Sequence, residues 1–370
     1  MVIGFDAKRA FNNKSGLGNY SRNLLKALLK YYPENRYLLF TPKINKQIFS
    51  DSGFEIYTPP GINKLFPSLW RSFSINKSLK KLSLDVFHGL SNEIPFFINN
   101  KKIKTIVTIH DLIFLRYPNL YKWIDRKIYL QKFKYSCHKA DLIIAISQQT
   151  KSDIIEFFKI NENRIKVVYQ SCNPIFFENI SIPYKNLFLK YNIPKNYILY
   201  VGTIERRKNL LTLLKAVYSK KIDLPIVVVG RKTEYFNEIK DFIEKNKVKN
   251  IFFIGEISNE ELVALYKYAK IFVYPSIFEG FGIPVIEAIA SGVPVVTSKN
   301  SCLMETGGEA AVYFEPYNYE ELGDIIINII NDISLYNNLI EKGKQHIKRF
   351  TPEVFAKNTM NLYKELLING

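Results

Sequence analysis

Apolar residues recur along the first half of the chain in short runs. These runs are Val2–Phe5, Tyr37–Phe40, Asp85–His88, Thr105–Ile109 and Asp141–Ile146. Each run has the length of one buried strand, and the segments between most of them are long enough for helices. Strands that alternate with helices predict an α/β domain built on a parallel sheet.

A second series of apolar runs follows. Its members are Tyr197–Val201, Ile226–Val229, Ile251–Ile254, Ile271–Tyr274 and Val293–Val296. Prolines at 174, 183 and 194 interrupt the pattern between the two series and predict a linker. The length of 370 residues also exceeds the size at which one hydrophobic core keeps growing. We therefore predict two doubly wound domains, at residues 1–175 and 196–345, joined by a linker at 176–195.

The segment from Glu279 to Glu287 reads Glu-Gly-Phe-Gly-Ile-Pro-Val-Ile-Glu and follows the run Ile271–Tyr274. It predicts a strand, a glycine-rich loop and a helix that begins near Pro284, because proline suits the first helical turn. Free amides at a helix start attract phosphate, whereas carboxylates accept hydrogen bonds from sugar hydroxyls. The loop therefore fits a ligand with both groups; the alternative is a plain turn with solvated glutamates.

This segment resembles the signature of the retaining, nucleotide-sugar-dependent glycosyltransferases of family 4. The resemblance implies the GT-B fold, with two facing Rossmann-like domains and a cleft between them, and a nucleotide sugar as co-substrate without a further cofactor. It implies that Glu279 contacts the donor sugar and Glu287 the ribose. The amides implied to face the sugar and the diphosphate belong to Gly280, Phe281, Gly282 and Ile283. We also predict that residues 346–370 form a C-terminal helix that packs back on the first domain.

Three consecutive cations, Arg206 to Lys208, follow Gly202 after the strand Tyr197–Val201. Arginine forks and lysine charges can neutralise a diphosphate, although a helix start disfavours cations. The alternative is a solvated charge run. Thr203 stands where the family often has its first basic residue, so Arg207 and Lys208 become the predicted diphosphate ligands beside Gly202.

Gly16 and Gly18 follow the first strand and open a predicted helix, which allows close approach of an anion. A nicotinamide-binding motif is excluded because Ser21 replaces the third glycine and no acidic residue ends the second strand. The resemblance places both glycines against the donor diphosphate, and a tight turn is the alternative.

His110 and Asp111 end the strand Thr105–Ile109. The resemblance places His110 near the donor sugar and the acceptor hydroxyl; the alternative is a capped turn with a packed histidine. The catalytic candidates are therefore His110, Asp111, Glu279, Arg207 and Lys208. Gly255 falls where relatives hold the nucleotide base through the main chain.

Charge is unevenly placed in this chain of net charge +18: residues 1–180 hold 28 Lys/Arg against 13 Asp/Glu, and the remainder 24 against 21. A basic half predicts contact with an anionic membrane or a pyrophosphate lipid. Nucleic acid is excluded as a partner, because no zinc-finger, basic-heptad or RNA-binding aromatic pattern is present. The basic and aromatic segments 64–82 and 121–139 lack a clean apolar stripe, which favours ordinary domain helices over interfacial ones.

Other classes of protein are excluded by what the sequence lacks. No apolar run reaches about 18 residues, and the first residues show no signal-peptide pattern. Three scattered cysteines and four histidines lack metal-ligand spacing. We predict a metal-independent, cytoplasmic protein that works at the inner face of the membrane.

The function implied is a retaining glycosyltransferase that moves a hexose to a glycan or lipid-linked acceptor in surface polysaccharide or lipopolysaccharide synthesis. The segment Ser301–Ala311 resembles one found in bacterial polysaccharide glycosyltransferases, several of them mannosyltransferases, which favours GDP-mannose as donor. Two alternatives stay open: another nucleotide-sugar enzyme of this fold, such as an epimerase, and a non-catalytic scaffold that binds sugar nucleotides or membranes.

Overall fold

The computed structural model describes residues 1–50, 52–98, 103–178 and 183–368. They fold as two compact units: the first 172 residues together with those that follow Arg349, and the segment Asn173–Arg349. Residues 179–182 of the predicted linker lie outside the described residues. The other residues of the predicted linker belong to the second unit and include the helix Tyr184–Tyr191.

The first unit is built on a parallel sheet. Its strands are β1 (Val2–Asp6), β2 (Arg36–Phe40), β3 (Glu55–Tyr57), β4 (Val86–Gly89), β5 (Lys104–Ile109), β6 (Leu142–Ala145) and β7 (Ile165–Val167). Within the described ranges the strand order is β3-β2-β1-β4-β5-β6-β7, and the pairings are parallel. Strands β4 and β6 are buried along their whole length, as expected of a parallel sheet covered by helices on both faces.

The helices of the first unit connect these strands. They are α1 (Lys8–Asn12), α2 (Gly16–Tyr31), α3 (Pro67–Leu69), α4 (Ile75–Lys81), α5 (Ile113–Arg116), α6 (Trp123–Lys139) and α7 (Gln148–Phe158). A π-helical turn, Trp70–Ser74, joins α3 to α4. Helix α2 begins at Gly16, so Gly16 and Gly18 both lie in its first turn, as the sequence predicts.

The second unit contains another doubly wound parallel sheet. Its strands are β8 (Tyr197–Val201), β9 (Ile226–Val229), β10 (Ile251–Ile254), β11 (Ala269–Tyr274), β12 (Val295–Ser298) and β13 (Ala311–Phe314). In the part of the unit that is described, the order is β10-β9-β8-β11-β12-β13. The strand order reverses between β8 and β11, which is where such sheets bind ligands at their carboxyl ends.

Helices cover this second sheet. They are α8 (Tyr184–Tyr191), α9 (Leu210–Ser219), α10 (Phe236–Asn246), α11 (Asn259–Tyr268), α12 (Ile283–Ala290), α13 (Leu303–Gly307), α14 (Tyr319–Asn331) and α15 (Ile333–His346). The last helix, α16 (Pro352–Ile368), belongs to the first unit, where it packs against α2. The two parallel sheets confirm the predicted α/β class with two Rossmann-like domains.

Candidate functional site

Two loops leave the carboxyl ends of the neighbouring strands β8 and β11. The first ends in a 3₁₀ turn, Arg206–Lys208, and the second leads into α12. The loops are joined at Arg207, whose carbonyl accepts hydrogen bonds from the Ile277 amide at 2.8 Å and the Ser276 hydroxyl at 3.2 Å. Both predicted motifs of this unit therefore meet at the switch point of the sheet.

Three charged side chains meet between these loops. Glu279 Oε2 lies 2.8 Å from Arg207 Nη1, and Glu279 Oε1 lies 2.5 Å from Lys208 Nζ. Arg207 also pairs with Glu205 at 2.8 Å and donates to the Phe278 carbonyl at 2.6 Å. The structure thus brings the predicted candidates Arg207, Lys208 and Glu279 together and adds a second carboxylate beside them.

Two hydroxyls complete the shell around Glu279. Tyr274, the last residue of β11, donates to Glu279 Oε1 at 2.9 Å and accepts from Lys208 Nζ at 2.5 Å. Ser276 donates to the same carboxylate oxygen at 2.5 Å. Because each partner is held by β8, β11 or the joined loops, the carboxylate is fixed in one orientation.

The charges determine the protonation of this cluster. Burial alone would raise the pKa of Glu279, but the charges of Arg207 and Lys208, with hydrogen bonds from Lys208 and Ser276, outweigh it and hold the pKa at about 2. Burial lowers the pKa of Lys208 more than its pairing with Glu279 raises it. Burial also opposes the charge on Arg207, yet Glu279 and Glu205 raise its pKa. Glu279 is therefore an ionised acceptor at neutral pH.

Arg206 lies apart from the cluster. Its guanidinium pairs with Glu238 at 2.7 Å, its side chain is 70% exposed, and it lies over the ring of Tyr235. The three consecutive cations of the sequence therefore divide, and only Arg207 and Lys208 contact the second loop.

The glycine-rich loop approaches the first turn of α12, with Pro284 at the start of the helix as predicted. Gly280, Phe281 and Gly282 are buried, and Ile283 begins the helix half-buried. Gly282 has φ +106°, and a Cβ there would lie 2.9 Å from Leu303 Cδ2. Only glycine fits this turn without strain, so the loop can bring its backbone amides close to a ligand.

Glu287 lies inside α12, as predicted, but is separate from the ion cluster. The hydroxyl of Tyr266 on α11 donates to Glu287 Oε2 at 3.2 Å. Burial raises the pKa of Glu287 to about 7, although this hydrogen bond acts in the opposite direction. This carboxyl group therefore changes protonation near neutral pH.

The segment after β12 supports the loop. The hydroxyl of Ser301 accepts from the Glu279 amide at 3.1 Å. The thiol of Cys302 donates to the carbonyls of Glu279 at 3.2 Å and Phe281 at 2.9 Å. Burial raises the pKa of Cys302 well above its usual value, so the thiol serves as an uncharged donor that holds the loop.

Gly202 and Gly255 lie at the same carboxyl edge of the sheet. Gly202 follows β8, and a Cβ there would lie 3.8 Å from Lys208 Cδ. Gly255 follows the edge strand β10, is exposed and has open space around it. The order of strands places Gly255 at the outer end of the predicted binding edge.

His110 lies in the first unit, directly after β5, and is buried. Its Nε2 lies 2.8 Å from the Leu90 carbonyl, so the neutral ring carries its proton there, because a carbonyl only accepts. Its ring packs edge-on against Tyr20 of α2, with centroids 4.5 Å apart. Burial lowers the pKa of His110 to about 4; the Leu90 bond opposes this shift and the Arg9 charge adds to it. His110 is therefore neutral at physiological pH.

Asp111 is half-buried beside it. Its Oδ1 accepts from the Ile113 amide at 3.1 Å, at the start of α5. This contact is the one expected of a residue that caps a turn, and the packed ring of His110 has the same structural character. A catalytic role for His110 or Asp111 therefore stays a prediction.

Gly16 and Gly18 differ in their surroundings. A Cβ on Gly18 would lie 1.8 Å from the Asn13 carbonyl oxygen, whereas a Cβ on Gly16 would have open space around it. The Gly18 amide is engaged by Asn13 Oδ1 at 3.2 Å and the Ser15 carbonyl at 2.9 Å. Gly18 is therefore required by the fold, whereas Gly16 has open space beside it, and its contact with the diphosphate stays a prediction.

Two further features concern metals and membranes. Across the four described ranges, no three His, Cys, Asp or Glu side chains are placed to hold a metal ion. None of the helices in the described part of the chain is long and apolar enough to cross a membrane.

Comparison with known families gives one match in each unit. Residues 14–174 match the model for Glycosyltransferase Family 4, and residues 186–346 match the model for Glycosyl transferases group 1. The chain belongs to the glycosyltransferases. This is the family that the loop between Glu279 and Glu287 resembles.

Curated relatives of this transferase include polysaccharide enzymes. It is 29% identical over 288 residues to O-antigen chain mannosyltransferase B of Escherichia coli, covering 76% of this chain and 74% of the relative. It is 29% identical over 352 residues to O-antigen chain mannosyltransferase RfbU of Salmonella typhimurium, covering 89% and 92%.

Solved structures similar to the transferase show its fold. Sucrose-phosphate synthase from Thermosynechococcus elongatus matches with a TM-score of 0.79 at 21% identity, covering 100% of both chains. Anabaena HepE in complex with UDP and glucose matches with a TM-score of 0.76 at 17% identity, covering 98% of this chain and 99% of that one. The transferase therefore has the GT-B fold.

Sequence reasoning missed three residues of the transferase's ion cluster: Tyr274, Ser276 and Glu205. The available signal for the first two was their position at the carboxyl end of a strand beside the switch point. Glu205 stands inside the basic motif, but its charge is wrong for a diphosphate ligand, and only the fold shows that it pairs with Arg207.

Proposed function

We propose that this chain is a retaining hexosyltransferase that moves mannose from GDP-mannose to a glycan or lipid-linked acceptor in surface polysaccharide synthesis. The observation that carries the proposal is the cluster of Arg207, Lys208 and Glu279 at the switch point of the second sheet. It combines cations suited to a diphosphate with an oriented carboxylate suited to a sugar.

The cations would stabilise the departing nucleoside diphosphate. Arg207 offers a planar fork and Lys208 a point charge, and both are held in place before a ligand arrives. Amides of Gly280, Phe281, Gly282 and Ile283, with Gly202 and Gly16, would approach the same phosphates. Preorganised donors that act in the transition state are commonly worth about 3–4 kcal/mol each.

The two carboxylates would bind the sugar portions of the donor. Glu279, held ionised by its partners, would accept hydrogen bonds from the hexose. Glu287, inside α12, would accept from the ribose, and Gly255 would lie near the base. Both oxygens of Glu279 are already engaged by cations and hydroxyls, which makes it a poor nucleophile.

Retention at the sugar is proposed to follow front-face attack assisted by the leaving phosphate. The acceptor hydroxyl attacks the anomeric carbon as its bond to the diphosphate oxygen breaks, and the hydroxyl proton passes to that phosphate. His110, neutral and in the first unit, would contact the donor sugar and the acceptor hydroxyl, with Asp111 beside it. This scheme needs no metal ion, because the cations neutralise the diphosphate.

The relatives support the choice of sugar and acceptor in this proposal. Two enzymes named O-antigen mannosyltransferases cover most of this chain, which favours mannose and a polysaccharide or lipid-linked acceptor. We propose that the enzyme works in the cytoplasm, at the inner face of the membrane.

The experiment that tests the proposal compares nucleotide sugars in the presence of EDTA. Thermal stabilisation and slow hydrolysis are measured with GDP-mannose, UDP-glucose, UDP-N-acetylglucosamine and a dTDP-sugar. We expect GDP-mannose alone to stabilise and to be hydrolysed, with α-mannose as the first product by NMR. If a different nucleotide sugar stabilises the protein and is hydrolysed, that sugar replaces GDP-mannose as the proposed donor. If β-mannose is the first product, the reaction does not retain the anomeric configuration. If the donor is converted into a second nucleotide sugar, the protein is an epimerase.

A pair of variants tests the cluster itself. Arg207→Ala should weaken GDP binding by roughly ten- to hundredfold, because a charged hydrogen bond is lost. Arg206→Ala is the matched control, since this arginine pairs with Glu238 away from the cluster. This variant should bind GDP with the affinity of the unaltered protein. Equal affinities for the two variants would remove the diphosphate assignment.

A further inference from the structure

Large apolar side chains are exposed on two segments of the first unit. Residues 65–73 expose Leu65, Phe66, Leu69 and Phe73, and the first half of α6 exposes Trp123, Ile124, Ile128 and Leu130. Leu65 is 73% exposed and Trp123 61%. Soluble proteins rarely leave such side chains clustered in water without a function.

The two segments are joined by the loop after β4. Phe73 stacks on Phe96 with centroids 5.2 Å apart, and Phe97 lies 6.2 Å from Phe73. Phe96 packs on Tyr135 of α6 at 4.6 Å, and the Phe97 amide donates to the Tyr135 hydroxyl at 2.7 Å. Phe97 is itself 74% exposed. We call this combined area, residues 64–81, Phe97 and 122–139, the apolar–basic surface.

The exposure does not come from a loosely attached segment. Trp70 is buried together with Ile75 and Leu79 in one core cluster. Arg71 pairs with Asp6 at 2.7 Å and Glu93 at 3.0 Å. The inner side of the segment is therefore anchored, and its outer apolar side chains are not used by the core.

The positive charge of the apolar–basic surface indicates the chemistry of its binding partner. Residues 64–81 hold five Lys/Arg and no acidic residue, and residues 122–139 hold six Lys/Arg against one aspartate. The exposed lysines are Lys64, Lys77, Lys80, Lys81, Lys122, Lys127, Lys134 and Lys139. A second copy of this chain would place like charges opposite one another. An anionic lipid bilayer supplies the opposite charge and an apolar layer beneath it.

We propose that the apolar–basic surface docks the first unit on an anionic lipid bilayer. Its leucines and aromatic rings enter the boundary between headgroups and acyl chains, and its lysines contact anionic headgroups. Lys127 lies 4.4 Å over the Trp123 ring, a pairing of amphipathic side chains suited to such an interface. Sequence alone favoured ordinary helices here, because the apolar side is assembled from two helical segments and a loop.

The test is sedimentation of the full chain with vesicles, without donor or acceptor, so that it is independent of the proposed transfer reaction. Vesicles contain phosphatidylcholine alone or mixed with phosphatidylglycerol. We expect binding to the mixed vesicles only, weakening as salt is added. The variant with Leu65→Ser, Phe66→Ser and Leu69→Ser should lose most of this binding. The variant with Lys122→Gln and Lys127→Gln should bind more weakly by roughly fivefold for each charge removed.

Matched controls lie in the second unit. Phe188→Ser with Leu189→Ser removes exposed apolar side chains of α8, and Lys247→Gln with Lys249→Gln removes two exposed charges. Both should bind vesicles as the unaltered chain does. Absence of binding to mixed vesicles, or equal binding by the Leu65/Phe66/Leu69 variant and its control, would overturn the proposal. A dimer in solution that these three changes abolish would assign the surface to a second copy instead.

Discussion

Glu279 serves two purposes at the scale of single residues. It is the proposed sugar ligand, and it is also the counterion of Arg207 and Lys208 when no donor is bound. A diphosphate arriving at these cations therefore has to share them with a carboxylate already in place. The two purposes can be separated, because sugar binding needs a correctly placed acceptor whereas charge balance needs only a negative group.

Glu279→Gln should separate them. The amide keeps one acceptor but leaves Arg207 and Lys208 without their shared counterion, so the free protein should lose about 3 kcal/mol of stability. GDP alone should then bind more tightly than to the unaltered enzyme, because its diphosphate supplies the missing charge, while transfer falls. Calorimetric titration with GDP and a rate assay measure the two effects.

Glu205→Gln is the control for this variant. The Glu205 carboxylate pairs with Arg207, whereas Lys208 is reached by the main chain of Glu205, whose carbonyl accepts from the Lys208 amide at 3.0 Å. The side chain of Glu205 is also more exposed than that of Glu279. A smaller gain in GDP affinity and a near-normal rate are expected. Normal turnover by Glu279→Gln would exclude a role for the carboxylate in orienting the sugar.

Glu287 has the opposite kind of pKa shift, and its effect on stability has the opposite sign. Burial raises its pKa from 4.5 to about 7. Between these values the folded state holds a proton that the unfolded chain has lost, so stability falls as the pH rises through this window and levels off above it. For Glu279, whose pKa is about 2, stability is complete above pH 4.5 and is lost towards lower pH.

Glu287→Gln should remove this fall in stability. The free energy of unfolding of the unaltered protein, measured in urea, should fall by on the order of 3 kcal/mol between about pH 5 and 8 through Glu287. The variant should not show this fall. Glu256→Gln, at an exposed residue of the same unit, should follow the unaltered protein throughout. Parallel curves for all three proteins would contradict the raised pKa.

At this scale the sequence predicted the identities of the site residues better than their contacts. Arg207, Lys208 and Glu279 were identified from motifs, and the structure brings them together. Their mutual ion pairing was not predicted, because it depends on β8 and β11 being neighbours, which a local pattern does not contain. Arg206 was not among the predicted ligands, and its pairing with Glu238 outside the cluster likewise depends on the fold.

At the scale of elements, three strands were missed: β3, β7 and β13. All three are edge strands of the described sheets. Each has only three or four residues, and each is partly exposed. An edge strand has one neighbour and needs no long apolar run, so periodicity missed these three, although it detected the edge strand β10 from the run Ile251–Ile254. The central strands β8 and β11 carry the candidate cluster, which is why its residues could be assigned to strand ends from the sequence.

The first turn of α2 offers a test at the same scale. Gly16→Ala should leave stability unchanged, because open space surrounds that position, but should weaken donor binding or turnover if a diphosphate approaches there. Gly18→Ala should destabilise the protein by about 1–3 kcal/mol, since its Cβ would clash with the Asn13 carbonyl. Thermal melts and donor titration distinguish the two. Full activity of Gly16→Ala would remove this turn from the proposed binding site.

At the scale of the whole molecule, the end of the chain completes the unit in which the chain begins. Tyr363 of α16 is fully buried, and its hydroxyl lies 2.7 Å from His88 Nδ1 on β4. His88 Nε2 lies 2.8 Å from Thr108 Oγ1, which also bonds the Tyr20 hydroxyl at 3.0 Å. Tyr20 in turn packs on His110. A chain of three buried hydrogen bonds and one ring contact therefore connects α16 to the candidate catalytic residue His110.

Tyr363→Phe should loosen the first unit and leave the second unchanged. Loss of the hydroxyl leaves a buried ring nitrogen of His88 without its partner, which costs about 1–3 kcal/mol. Hydrogen exchange should therefore quicken in β4 and α2, far from residue 363 in sequence, and remain unchanged in β8 to β13. Tyr313→Phe is the reciprocal control, because it removes a 2.7 Å bond to the Gly308 carbonyl within the second unit and should change exchange only there. If Tyr363→Phe quickened exchange only within α16, the helix would be a local appendage and His110 would not depend on it.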